Sequence, residues 1–167
     1  MANLTVNPGN SQTPDATLGG GAVSGPSNTG YTSTTLNADD GQAFTDSIRW
    51  FAVPVVVGLI SATLKLDFSE NGSLSGVGSK NNFHKIEYSI NGGGSWITLQ
   101  NHVAITSLAT GSLSAALTLP QDTSLVQVRA SLGVSTSVVG THSDITTSVS
   151  NVRIEAVTTD PGAVWIG

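Results

Sequence analysis

The side chains with which this sequence could do acid–base chemistry are its eleven Asp and Glu residues and its three His residues. An enzyme needs a general acid and a general base held together near a pocket. No spacing in the sequence pairs the candidate carboxylates, which are Asp67, Glu70, Asp122, Asp144 and Glu155. The chain also lacks a G-x-S-x-G elbow and a glycine loop followed by Lys. We therefore expect no catalytic residues and no enzymatic activity.

The spacing of the His and Asp residues gives little support for a metal site. The histidines lack the H-x-H or H-E-x-x-H pattern of a zinc site, and we expect surface or hydrogen-bonded side chains at His84, His102 and His142. Three carboxylates close in sequence could supply the oxygen ligands that calcium prefers, namely Asp39, Asp40 and Asp46. They do not fit the EF-hand spacing, and a solvated turn is the interpretation we favour. We expect no cofactor, and the calcium alternative stays open.

Exposed aromatic side chains could bind sugars by stacking, and the candidate platforms are Tyr31, Trp50 and Trp165. Trp50 and Phe51 are adjacent, so on a strand one of them faces the core and the other faces outward. An outward aromatic on an apolar strand is explained equally well by a subunit interface.

Composition excludes two classes of partner. Charged residues make up 10% of the chain, with six Lys and Arg against eleven Asp and Glu and no basic cluster. Such a chain lacks the charge needed to neutralise nucleic-acid phosphates. The most apolar stretch runs from Trp50 to Ala62, contains Pro54 and Gly58, and is shorter than the roughly 20 residues that span a bilayer. We predict that it forms two buried strands that meet at a bend, and that the protein binds no membrane.

The elements that must position any site are β-strands, because apolar and polar residues alternate with period two from Tyr31 onward. The alternating segments are ATLKLDF, HKIEYSI, LVQVRASL and NVRIEAV. In them the pattern directs Lys85, Glu87, Ser89, Arg129 and Glu155 outward. The segments SENGSLSGVGSKNN and GVSTSVVGTHSD read as loops, since Gly, Asn and Asp mark turns. Seven to nine such strands without helices predict an all-β, antiparallel β-sandwich, for which a jelly-roll-like form is favoured, although the strand order does not follow from one sequence.

Three regions are predicted along the chain. Residues 1–30 form an extended arm rich in Gly, Ser and Pro, with too few large apolar residues to offset the entropy of ordering. Only Asn3 to Val6 looks capable of adding a strand, for which a neighbouring subunit could supply the sheet. Residues 31–160 form the sandwich, and residues 161–167 form an apolar tail.

The stretch SINGGGSW, residues 89–96, predicts a tight hairpin. Glycines and Asn tolerate positive φ in such a connection, and a Trp can pack over the turn. The stretch resembles the Asp-box of sialidases and other proteins, with Asn in place of Asp and Ser in place of Thr, at positions Ser89, Asn91, Gly93, Ser95 and Trp96. The resemblance implies a folding device, because in those families the box lies away from the catalytic residues.

A second resemblance covers roughly residues 47–157. The run IEYSINGGGSWITL, followed by LVQVRASL and VSNVRIEAV, is similar to the β-sandwich modules of tailed-phage virion proteins. This resemblance implies a non-enzymatic virion structural protein, on the capsid surface or the tail. The function predicted first is a capsid decoration or cement protein that binds across major capsid subunits. The alternative is a tail- or fibre-associated module that binds a receptor or a carbohydrate.

Assembly is predicted from the sheet edges. A lone sandwich protects its edges with Lys, inward charges or Pro, and here only Lys65, Lys80 and Lys85 could do so. We therefore expect neighbouring subunits to cover the edges in a homo-oligomer, for which a trimer is our guess. The predicted assembly contacts are the apolar residues of the arm, the strand and the tail, namely Leu4, Val6, Trp50, Phe51, Val164, Trp165 and Ile166.

Overall fold

The structure is a computed structural model that describes residues 2–6, 14–15, 30–52, 59–119 and 126–159. Every regular element in these ranges is a β-strand, so they hold no helix that is long and apolar enough to cross a membrane. The strands are β1 (Ala2–Val6), β2 (Pro14–Asp15), β3 (Tyr31–Asp39), β4 (Ala43–Ala52), β5 (Leu59–Ser75), β6 (Lys80–Ser89), β7 (Ile97–Val103), β8 (Ala109–Leu117), β9 (Val126–Thr136) and β10 (His142–Thr158).

The strands form two antiparallel sheets. In the first sheet, β10 has β5 on one side, and β8 pairs with the far edge of β5. The other side of β10 is shared, because β3 pairs with its first half and β1 with its last five residues. The second sheet has the order β2-β4-β9-β6-β7. The predicted all-β, antiparallel sandwich is confirmed.

The pairings of strands β3 to β10 are nested inside one another. Strand β3 pairs with β10, β4 with β9, β5 with β8, and β6 with β7. These eight strands thus form one long antiparallel ribbon that turns at the β6–β7 hairpin. Rolling up the ribbon places successive pairs in alternate sheets and brings β10 against β5 and β9 against β6. This order is that of a jelly roll, the form that the sequence favoured.

The core lies between the two sheets and follows the alternation of the sequence. Removal of each large aliphatic side chain from water contributes about 1.5–3 kcal/mol, which drives the two faces together. The main cluster of buried side chains includes Leu64, Leu66, Ile86, Tyr88, Val126, Val128, Ala130, Val152, Ile154 and Ala156. A smaller cluster includes Leu36, Ala38, Ile105, Leu132, Val134 and Ile145.

Two segments predicted as loops are largely strand. Strand β5 continues to Ser75, and its residues 71–73 pair with residues 144–146 of β10. The turn-forming tendency of Asn71 and Gly72 is overridden because β10 offers hydrogen-bond partners along this whole length. Strand β9 likewise continues to Thr136, and β10 begins at His142, which reduces the second predicted loop to a short turn.

The strand predicted near the start of the chain exists, and it pairs with this chain's own β10, from Ala2 opposite Thr158 to Val6 opposite Ile154. The side chains of Leu4 and Val6 lie outside the described part of the chain. So do residues 161–167, with Val164, Trp165 and Ile166, and most of residues 1–30. The domain boundaries and these assembly contacts therefore stay predictions.

Candidate functional site

The hairpin of residues 89–96 is held by bonds among its own side chains. The Ser89 hydroxyl accepts hydrogen bonds from the backbone N–H groups of Asn91 and Gly93 and donates to Asn91 Oδ1 at 2.8 Å. Asn91 Oδ1 also accepts from Ser95 N at 2.9 Å, and Asn91 Nδ2 donates to Ser95 Oγ. The positive φ angles fall on Gly92 and Gly93, at 68° and 90°, and Asn91 does not need one. These bonds fix the position of the residue that ends the hairpin.

That residue, Trp96, lies against an arginine on the outer face of the second sheet. The guanidinium carbon of Arg129 is 4.1 Å from the centroid of the Trp96 ring, which is within the range of a cation–π contact. Trp96 is half-buried, so part of the indole ring reaches solvent. Arg129 comes from β9, the strand next to β6 in the sheet.

Arg129 is in turn paired with a carboxylate that is almost fully covered. The side chain of Glu87 is 4% exposed, and its Oε2 accepts from Arg129 Nε at 3.0 Å and Nη2 at 2.6 Å. Its Oε1 pairs with Lys85 Nζ at 2.5 Å. Burial raises the pKa of Glu87, but the hydrogen bonds and charges of Lys85 and Arg129 outweigh it and hold the pKa below its ordinary value. Glu87 lies on the outer face of the sheet, as the alternation predicted, but its side chain is buried.

A second aromatic ring lies farther along the same face. Phe83 is half-buried, and its ring covers Gly133 so closely that a Cβ there would lie 2.3 Å from the ring. Phe83 precedes Glu87 by four residues, which corresponds to about 13 Å along a strand. We call the surface formed by Phe83, Lys85, Glu87, Trp96 and Arg129 the platform.

Gln127 adds one further polar group beside the platform. It is 5% exposed, and its Oε1 has no hydrogen-bond partner within the described protein. This oxygen lies 2.8 Å from where a Cβ on Gly93 would be, so it sits under the hairpin that presents Trp96. The platform thus combines partly exposed ring surfaces with donors and a carboxylate whose positions are fixed before any ligand arrives.

The aromatic residues that the sequence suggested for sugar stacking are not those of the platform. Tyr31 is 2% exposed and its hydroxyl bonds Thr147 Oγ1 at 2.8 Å, so the hypothesis that it stacks on sugars is wrong. In the ladder, Trp50 pairs with Val128 and Phe51 with Gln127, but the side chains of both lie outside the described part of the chain. Trp165 also lies outside it.

A buried polar cluster joins the two sheets. Glu70 of β5 is 2% exposed and accepts three hydrogen bonds, from His84 Nδ1 and Gln100 Nε2 at 2.9 Å each and from His102 Nδ1 at 2.5 Å. Burial raises the pKa of Glu70, but the bonds from the two histidines outweigh it and lower that pKa. His84 is fully buried and bonded to Glu70, which agrees with the expectation of surface or hydrogen-bonded histidines. His102 is 49% exposed.

The chemistry of this cluster is limited. A carboxylate that orients an imidazole is one part of a general-base arrangement. The described residues place no hydroxyl group within hydrogen-bond distance of His84 or His102, so they supply no nucleophile for it. Nor do they include any group of three or more metal-binding side chains suited to a metal ion.

The acidic residues near the β3–β4 turn make separate contacts. Asp39 Oδ1 bonds His142 Nδ1 at 2.6 Å, and Asp144 Oδ2 bonds His142 Nε2 at 3.0 Å. The bonds from Asp39 and then Asp144 raise the pKa of His142 above its ordinary value. Asp40 Oδ1 accepts from the Gly140 N–H, and the side chain of Asp46 lies outside the described part of the chain.

A scan against protein-family models finds no family that matches the chain, and a search of curated proteins finds no match either. Among solved structures, the chain is similar to TmCBM61 in complex with β-1,4-galactotriose, at 10% identity and a TM-score of 0.39, with 86% of each chain covered. It is also similar to the C-terminal family 22 carbohydrate-binding module of Clostridium thermocellum Xyn10B, at 16% identity and a TM-score of 0.32, over 78% of this chain and 75% of that one.

A third similar structure is the enzymatically active domain of bacteriophage CBA120 tailspike protein 4. The identity is 11% and the TM-score 0.37, and the match covers 93% of this chain but 19% of the tailspike chain. At such identities and TM-scores the three likenesses carry no argument about what this chain binds.

Sequence reasoning missed the platform and the Glu70 cluster for different reasons. The pairing of Glu87 with Arg129 requires knowledge that β6 and β9 are neighbours, which one sequence does not contain. The Glu70 cluster did leave a signal. Continuing the alternation of Leu64 and Leu66 by four residues places Glu70 on the core face, and the same rule places His84 beside Ile86.

Proposed function

We propose that this chain is a non-enzymatic, carbohydrate-binding jelly-roll module and that the platform on its second sheet is the binding surface. The observation that carries the proposal is the chain of contacts from Trp96 through Arg129 to the buried Glu87. It puts a partly exposed indole ring beside fixed charged groups on the outer face of the second sheet.

Sugars match this combination of groups. Their C–H faces pack on aromatic rings, and their hydroxyl groups act as both donors and acceptors. Arg129 and Lys85 can donate to ligand oxygens, with side chains that are 24% and 34% exposed. Because Glu87 already holds both cations, little side-chain entropy is lost when a ligand binds. Aromatic rings near both ends of the platform would let one glycan chain contact each of them.

The function predicted first, a capsid decoration protein with a virion location, a trimer and a major capsid partner, stays a prediction. A tail- or fibre-associated receptor-binding module is compatible with glycan binding at the platform, and it is the form of the phage hypothesis that we carry forward.

The test is binding of the whole chain to soluble β-glucan, xylan, galactan and bacterial lipopolysaccharide, measured by retardation in native affinity gels. We expect retardation by at least one of these, and Trp96→Ala should weaken that binding about tenfold or more, or 1.4 kcal/mol. The matched control is Val77→Ala, which changes a side chain that is 88% exposed in the turn between β5 and β6, outside the platform.

Two outcomes would contradict the proposal. Retardation by none of the four polysaccharides would remove its basis. Retardation that Trp96→Ala leaves unchanged would place the binding surface elsewhere. In either case the folded state of each variant is checked by the dispersion of its NMR spectrum.

A further inference from the structure

A polar hollow lies on the opposite side of the sandwich, on the outer face of the first sheet. Its volume is about 310 Å³, which falls at the lower end of the range of ligand sites. The residues that line it come from β5, β8 and β10 and are Lys65, Leu66, Asp67, Ser112, Leu113, Ser114 and Arg153. It exists because the short side chains of β8 stand beside the longer side chains of β5, whose other neighbour is β10.

The acidic wall of the hollow is fixed in place. Asp67 Oδ1 accepts from Ser112 Oγ at 2.5 Å, and Asp67 Oδ2 accepts from Asn151 Nδ2 at 2.6 Å. Those two bonds, from Asn151 first and Ser112 second, lower the pKa of Asp67. A carboxylate has about four lone-pair sites, so Asp67 can still accept from a ligand.

The basic wall is fixed by one carboxylate outside the hollow. Glu155 pairs with Lys65 Nζ at 2.6 Å and with Arg153 Nε at 3.0 Å. Arg153 Nη1 donates to the backbone oxygen of Asn151, also at 3.0 Å. Several donors of the hollow make no hydrogen bond to other described residues, so they are available to a ligand. They are Arg153 Nη2, the remaining N–H groups of Lys65 and the hydroxyl of Ser114.

The backbone of β10 is irregular beside the hollow. Between Ser150 and Arg153 the register with β5 shifts, as in a β-bulge, and Asn151 has a φ of 54°. A non-glycine residue in this left-handed region is uncommon. Bulges re-aim side chains and occur often beside binding sites. Here the bulge brings the Asn151 amide to Asp67 and the Asn151 carbonyl to Arg153.

The hollow therefore offers one fixed acceptor, Asp67, facing several fixed donors, and Glu155 outside it balances the second of its two cations. Two neighbouring hydroxyl groups of a sugar fit this arrangement, because one can donate to Asp67 while both accept from Arg153, Lys65 or Ser114. We infer that the hollow is a second glycan site that binds a single sugar residue through neighbouring hydroxyl groups. The inference rests on the proposed function for the class of ligand, and its residues are separate from those of the platform.

Two sites on opposite faces would make one chain bivalent. A module with a site on each outer face can join two glycan chains, or bind one surface with higher avidity when several copies are displayed together. The hollow has no aromatic wall, so we expect it to be the weaker of the two sites, with a dissociation constant in the millimolar range.

The test follows backbone amide signals of the whole chain by NMR during titration with methyl α-D-mannopyranoside and methyl β-D-galactopyranoside. Both sugars have neighbouring hydroxyl groups on the same side of the ring. We expect saturable shifts at residues 65–67 and 112–114 for at least one of them. Asp67→Asn and Ser114→Val should each weaken this binding several-fold, because the first removes the charged acceptor and the second fills the hollow.

The controls separate this inference from the proposed function. Thr110→Val changes an exposed residue of β8 outside the hollow and should leave the shifts intact. Trp96→Ala should also leave them intact, whatever it does to polysaccharide retardation. The inference is overturned if neither sugar gives saturable shifts at the hollow, if Asp67→Asn and Ser114→Val leave them unchanged, or if Trp96→Ala removes them.

Discussion

Glu87 shows how one residue can organise a surface. Polar side chains on the outer face of a sandwich are normally solvated, yet this carboxylate is nearly covered and holds two cations. Taking a carboxylate out of water costs several kcal/mol unless it is paired. The pairing therefore positions Arg129, and through Arg129 it supports the ring of Trp96.

Removal of Arg129 alone should destabilise the fold more than removal of both Arg129 and Glu87. Arg129→Leu leaves Glu87 buried with only Lys85 as a partner, and we expect the free energy of unfolding to fall by about 3 kcal/mol. The double variant Arg129→Leu with Glu87→Leu buries no unpaired charge and should recover part of that loss. Urea unfolding measures both, and a double variant as unstable as the sum of the two single variants would contradict this account.

At the scale of single elements, the hairpin of residues 89–96 depends on Gly93. Its φ of 90° disfavours any Cβ, and an added Cβ would also lie 2.8 Å from Gln127 Oε1. Gly140 has a similar φ of 80° but open space around it. We expect Gly140→Ala to cost about 1–2 kcal/mol of stability and Gly93→Ala to cost more.

The difference between the two variants isolates the packing of the hairpin on β9. If Gly93→Ala and Gly140→Ala lower the free energy of unfolding in urea equally, the Gln127 side chain moves aside freely. If the hairpin positions Trp96 as described, Gly93→Ala should also weaken polysaccharide binding, whereas Gly140→Ala should not.

The bonds of Glu70 join β5 to β6 and β7, and this contact between the sheets should be sensitive to acid. The pKa of Glu70 is lowered in the folded protein from its ordinary value of 4.5. The stability that it contributes is therefore present above the unfolded pKa and is lost as the pH falls through the folded pKa. We expect Glu70→Gln to flatten the loss of stability below pH 4.5, measured by urea unfolding.

Glu155→Gln is the control for that prediction. The pKa of Glu155 is also lowered, by bonds from Lys65 and Arg153, but its side chain is 38% exposed and water screens its charge. Its removal should change the acid dependence less. An equal effect of the two substitutions would show that burial of Glu70 does not matter.

The strands show how far the sequence alone could go. Alternation correctly assigned Leu64, Ile86, Val128 and Ile154 to the core, because a sheet with one buried face imposes period two on its residues. The same pattern could not reveal which strands are neighbours. Contacts such as Glu87 with Arg129 join residues 42 positions apart, so they depend on the rolled arrangement of the ribbon.

At the scale of the whole molecule, β1 closes a sheet edge that β3 does not reach. Deletion of residues 1–6 would expose the backbone N–H and C=O groups of residues 154–158 in β10. Such an edge pairs readily with other strands. We expect the shortened protein to self-associate and to unfold at lower urea concentration.

Size-exclusion chromatography with light scattering tests this expectation. Asn3→Ala, which changes an exposed side chain and leaves the strand in place, should behave as the unaltered protein does. A shortened protein that stays monomeric and equally stable would mean that β1 contributes little to the edge.

The nested ribbon also determines when the protein can fold during synthesis. Strand β10, the last described strand to leave the ribosome, is the partner of β1, β3 and β5. Until β10 emerges, the first sheet lacks the strand that joins β1 and β3 to β5. The edges of these earlier strands therefore stay unpaired. Long-range pairing of this kind is slow and exposes the chain to aggregation. Chaperone dependence of the nascent chain should therefore persist until β10 has been translated.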